Sequence, residues 1–120
     1  MWANKVKSFV ILTSLILGTF GMSAYAQSWP QKPIKFIVPF SAGGANDLMA
    51  RAAAEGASKV LGQTIVVENK VGAGGVLATQ FVAQANPDGY TLLLGSNIQL
   101  IQKILKPELS ISPMTDFVPI

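Results

Sequence analysis

Neither cysteine nor histidine occurs in the 120-residue chain, and these two absences remove most enzymatic readings. Without cysteine no disulfide can form, even in a compartment that would permit one. A zinc site lacks its usual ligands, and Cys–His or Ser–His catalysis lacks its base. Charge is also scarce: Asp, Glu, Lys and Arg make up 12% of the residues, with a formal net charge of +3. Lys5 and Lys7 stand ahead of the first apolar run, and the chain beyond them is close to charge balance. Such a balance leaves no footprint for nucleic acid or an anionic membrane surface. No Gly-Lys-Ser/Thr is present, which excludes a phosphate-binding P-loop. No metal, cofactor or catalytic residue is expected.

What is present begins with an export signal. Lys5 and Lys7 precede an apolar stretch from Phe9 to Met22, and Ala24-Tyr25-Ala26 places small residues two apart before Gln27. A basic start, a short apolar segment and a small-x-small site are the three parts of a secretory signal peptide. The apolar stretch is about 14 residues, short of the ~20 needed to span a bilayer. Residues 1–26 are therefore expected to be removed after Ala26, leaving Gln27 as the mature N-terminus. With no Cys after that site, no lipoprotein anchor is expected and no membrane anchor remains after cleavage.

Strand and helix signals then alternate. Ile34 to Phe40 is a short β-branched and aromatic run. Ala45 to Leu61 has helical spacing, with Leu48, Ala52, Gly56 and Val60 in one row and Met49, Ala53, Ala57 and Leu61 in the row beside it. Gly62 stands where a helix-terminating glycine belongs. Thr64 to Glu68 reads as a second strand, and Val76 to Ala85 as a second helix with Leu77 and Phe81 on one face and Ala78 and Val82 beside them. Asn86-Pro87-Asp88-Gly89 carries the chemistry of a turn. Tyr90 to Leu94 is continuously apolar, as a central parallel strand is. Asn97 to Leu105 fits a helix that Pro107 stops, and Ser110 to Ile120 reads as extended. The order β-α-β-α-β with right-handed crossovers predicts an α/β fold, a parallel sheet with flanking helices.

Ligands of parallel α/β sheets bind beyond the carboxyl ends of the strands, where helix starts present free N–H groups. Three loops fall on that edge: Ser41-Ala42-Gly43-Gly44-Ala45-Asn46-Asp47, Asn69-Lys70-Val71-Gly72-Ala73-Gly74-Gly75, and Gly95-Ser96-Asn97. Paired glycines allow close backbone approach, and Ser41, Ser96 and Asn97 add side-chain hydrogen bonds. Together they suit a small anion such as a carboxylate. Taken singly, each loop also reads as a tight turn, with Asn46 or Asp47 capping the first helix. A dinucleotide fingerprint is imitated by Gly43-Gly44 and Glu68, but the third glycine is missing. Asp47 and Asp88 fall at opposite ends of the sheet and cannot share acid/base work.

Trp29-Pro30-Gln31-Lys32-Pro33-Ile34, Ile37-Val38-Pro39-Phe40, Gly43-Gly44-x-x-Asp47 and Ala50-Arg51 resemble the opening of the Bug receptors, the extracytoplasmic solute receptors of tripartite tricarboxylate transporters. Leu61-Gly62-Gln63, Val66-Val67-Glu68-Asn69-Lys70, Gly72-Ala73-Gly74-Gly75, Pro87-Asp88-Gly89-Tyr90 through Gly95, and Asp116-Phe117-Val118-Pro119-Ile120 resemble later blocks, in order, over nearly all of residues 29–120. The resemblance implies a type II-like periplasmic binding protein of two α/β domains. A small carboxylate sits in the cleft between them, and the closed form is presented to membrane permease subunits. The resemblance also adds Phe40 to the first of the three loops. Residues 27–120 are then the first part of domain 1, with the second domain absent. Ala42 and Val71 stand where the family usually has Pro, which loosens both loops. A truncated, non-binding product of such a gene is the alternative, and an exported nucleotide-binding enzyme fragment a remote one.

Overall fold

The computed structural model describes residues 28–120, so the expected signal peptide and the Gln27 terminus lie outside it. The first strand, β1, spans Ile34–Val38 and is the spine of the fold. It stops two residues before the apolar run does, because Pro39 has no N–H to continue the ladder. Helix α1 covers Ala45–Leu61 and ends at Gly62, which takes the left-handed conformation (φ 66°) and donates its N–H to Ser58 O at 3.0 Å. Strand β2 follows at Ile65–Asn69. Helix α2, Val76–Ala83, ends earlier than its apolar pattern, ahead of Asn86-Pro87, where the residue before proline disfavours helix. Strand β3 is Thr91–Leu93 and helix α3 is Asn97–Leu105. Beyond α3 the described chain holds turns and irregular segments, with no further helix or strand.

The sheet is parallel, three-stranded and ordered β2-β1-β3. Ile34 pairs with Ile65 and Val38 with Asn69 on one side, and Lys35 with Thr91 and Ile37 with Leu93 on the other. The apolar run at Tyr90 to Leu94 predicts a central strand, but β1 takes that place. Ile34, Ile37 and Val38 are fully buried, whereas every β3 residue is half-buried. The chain moves from β1 to β2 in one direction and from β2 to β3 in the other. Right-handed crossovers therefore put α1 and α2 on opposite faces of the sheet. In agreement, α1 packs on β2 and β1, α2 on β3 and β1, and the two helices do not touch.

The buried row of α1 differs from those the apolar spacing predicts, and that of α2 agrees with them only at Ala78. On α1 the sheet is met by Asp47, Ala50 and Ala54, while Leu48 and Met49 are each 60% exposed and Val60 is 86% exposed. Small side chains let the helix axis approach the sheet, and the larger apolar residues are turned outward. On α2 the buried pair is Ala78 and Thr79, with Leu77 and Phe81 exposed. Here Thr79 satisfies its hydroxyl by donating to Gly75 O at 2.9 Å, so a polar residue can take a core position.

Candidate functional site

Parallel pairing brings all three predicted loops to the carboxyl edge of the sheet. The point where the strand order reverses, between β1 and β3, is where open α/β sheets form a ligand crevice. The loop after β1 and the start of α3 flank it. Ser41, Ala42, Gly43 and Gly44 are exposed and Phe40 is half-buried. α1 begins at Ala45 with Gly44 as its N-cap, and neither Asn46 nor Asp47 makes a side-chain cap bond. The first helical bond runs from Leu48 N–H to Gly44 O at 3.0 Å. The amides of the turn before it have no intrahelical acceptor, as at any helix start.

Asp47 is the hub of this region, and it faces inward. The residue is 2% exposed. Oδ2 accepts the N–H of Gly43 and Nε of Arg51, both at 2.9 Å, and Oδ1 accepts Nδ2 of Asn69 at 2.9 Å. The Asn69 amide donates as well to Phe40 O at 3.0 Å, and its Oδ1 accepts an Arg51 guanidinium N–H at 3.3 Å. The Arg51 bond, then Gly43 N–H and the Asn69 amide, hold the Asp47 carboxyl well below the usual carboxylate range, outweighing the opposing effect of burial. The pair with Asp47 correspondingly raises Arg51. Asp47 therefore ties the loop to β2, and Gly43 spends its amide on that tie. Arg51 lies outside all three loops of the sequence pattern, and Asn69, which opens the second, serves the first loop instead. The i,i+4 spacing of Asp47 and Arg51 is a readable pair signal, whereas Asn69 reaches Asp47 across 22 positions.

The second loop is a left-handed turn. Gly72, Ala73, Gly74 and Gly75 all have positive φ (150°, 47°, 64° and 95°), and Gly75 N–H donates to Gly72 O at 2.9 Å. Gly75 is buried against Pro39 and Ile98, where a Cβ would lie 3.4 Å from Pro39 Cβ. This turn thus crosses the end of β1 and contacts α3, with only Ala73 and Gly74 exposed. In the third loop, Ser96 donates its N–H and its hydroxyl to Gln99 Oε1, both at 2.8 Å, and so caps α3. Asn97 is exposed. A separate pocket lies behind the second loop, lined by Gly74, Thr79, Gln102, Lys103, Ile111 and Pro113 among others. There the Lys103 ammonium donates to Pro107 O at 2.9 Å and to Leu109 O. Among the described residues no three His, Cys, Asp or Glu side chains converge as metal ligands.

Residues 49–120 match the tripartite tricarboxylate transporter family receptor. The chain belongs to this family. It is 40% identical to BugT of Bordetella pertussis over 110 residues, covering 88% of this chain and 34% of BugT. Among solved receptor structures, MatC of Rhodopseudomonas palustris with bound malate superposes with a TM-score of 0.71 at 41% identity, covering 76% of this chain and 31% of MatC. An R. palustris protein with adipate gives a TM-score of 0.59 at 36% identity over 60% of this chain and 24% of that one. The chain spans between 23% and 34% of the lengths of the Bordetella pertussis relatives it matches.

Proposed function

We propose that the chain is the opening portion of a periplasmic solute receptor for a tripartite tricarboxylate-type transporter, exported with residues 1–26 as its signal. Residues 27–120 form the first part of domain 1. A small carboxylate is bound by loop backbone amides at the β1/β3 switch point and handed to the transporter's membrane permease subunits. The carrying observation is that the exposed Ser41–Gly44 loop flanks this crevice in a fold shared with a malate-bound relative. The binding surface comprises Phe40 to Gly44 with Asn97, flanked by Ala73 and Gly74. Asp47, Gly75 and Ser96 act by holding it in shape.

One such jaw binds weakly. A helix start stabilises an anion by about 0.3–1 kcal/mol, and roughly 2 kcal/mol when partly buried. Millimolar affinity already corresponds to about −4 kcal/mol. Malate or adipate titrated into the chain should shift the backbone amide resonances of residues 40–44 and 95–97, saturating no tighter than millimolar. The uncharged diamides should not shift them. Absence of any saturable response would remove the carboxylate reading, and micromolar binding would remove the one-jaw reading.

A further inference from the structure

We infer that Arg51 and Asn69 are positioning residues that keep the β1–α1 loop receptive to a carboxylate, by compensating and immobilising Asp47 beneath it. The inference rests on the carboxylate reading above. A helix start attracts anions, but this one already has an anion in its first turn, and it is almost fully buried. Left uncompensated, that charge would oppose a second carboxylate arriving at the same helix end.

Three contacts answer this. Arg51 places a cationic N–H on Oδ2 at 2.9 Å, Asn69 places an amide on Oδ1 at 2.9 Å, and Gly43 turns its N–H inward to Oδ2 at 2.9 Å. Asn69 further fastens Phe40 O, so the first residue of the loop is bound to the end of β2. The carboxylate is thereby kept on the underside with the Gly43 amide, Gly44 N–H turns back to Ser41 O at 3.4 Å, and the remaining amides of the loop are left to the ligand. Arg51 is itself half-exposed, with its side chain at 51%. Its replacement leaves the core untouched while removing the compensation.

The test compares the full chain with Arg51→Gln, and with Arg51→Gln combined with Asp47→Asn, by amide-detected titration with malate. A residual unit charge about 10 Å from the ligand, at an effective dielectric near 20, weakens binding on the order of tenfold. Arg51→Gln should show that loss, and it should shrink as salt is raised. The double variant should return to within about threefold of the parent, because the charge to be compensated is gone. A merely structural role predicts the opposite, with the double variant as weak as the single or weaker. Asn69→Ala should leave the charge pair in place but speed hydrogen exchange at the Gly43 amide. Unchanged malate binding in Arg51→Gln, no recovery in the double variant, or unchanged Gly43 exchange in Asn69→Ala would each overturn the inference while the parent still binds. A parent chain with no malate response would remove the carboxylate reading and this inference together.

Discussion

Ala73 is the one non-glycine residue with positive φ among the described residues, at 47° in the left-handed turn that crosses the end of β1. A Cβ in this conformation costs about 1–2 kcal/mol. Ala73 is exposed, so replacing it with glycine removes no buried contact. Glycine gives back about 0.4–1 kcal/mol through the greater freedom of the unfolded chain. Ala73→Gly should therefore stabilise the fold by roughly 0.5–1 kcal/mol, raising the unfolding midpoint by about 3–6 °C for a domain of this size. Gly62 supplies the mirror experiment. Its φ is 66° and nothing lies within 4 Å of the position a Cβ would take. Gly62→Ala should then lose about the same 0.5–1 kcal/mol, with no steric contribution to confuse the sign. Both variants can be followed by far-UV circular dichroism on heating and in urea, provided that the two transitions coincide. If Gly62→Ala destabilises as expected and Ala73→Gly does not stabilise, the turn does not carry the strain assigned to it.

Three further outcomes are expected. Ile37 is fully buried on the central strand, and truncation to alanine should cost about 2–5 kcal/mol, enough to abolish a cooperative urea transition in a segment with so small a core. The folded pKa of Asp47 is depressed chiefly by Arg51, so its contribution is full above the unfolded carboxyl pKa of about 3.9 and is lost as pH falls through the folded value. Urea midpoints should thus drop in acid below that point and drop less in Asp47→Asn; an identical drop in both would move the acid sensitivity to Asp88 or Asp116, whose carboxyls are also lowered. N-terminal sequencing of exported protein should begin at Gln27, and recovery of material still carrying Lys5 would refute cleavage after Ala26.

The architecture was legible because its signals are local. Gly62 marked the end of α1, Asn86-Pro87-Asp88-Gly89 marked a turn, and alternation of strand and helix patterns implied parallel pairing. The proximity of the three loops followed from that pairing without any knowledge of side chains. Strand order was less legible, since hydrophobicity alone could not tell the continuously apolar β3 from a central strand. Packing departs from the apolar pattern for a consistent reason. Counting apolar residues favoured Leu48, Met49 and Val60, yet proximity to a sheet favours small residues, and Ala50 and Ala54 took the buried row.

Asp47 shows where the site itself outran the sequence. Its position three residues after Gly44 suggests either a helix cap or a ligand contact, and the structure gives it no cap bond. Its carboxylate instead draws in an amide from its own loop, a guanidinium one helical turn ahead and an amide from the far end of β2. Only the second of these partners follows from spacing. The third depends on β2 lying beside β1 in the register that sets Asn69 opposite Val38. The glycines therefore explain how the backbone can approach a ligand, but not why an anion would be welcome above a buried carboxylate. In the proposed reading that second condition falls to Arg51 and Asn69, the partners of Asp47 that lie outside the loop.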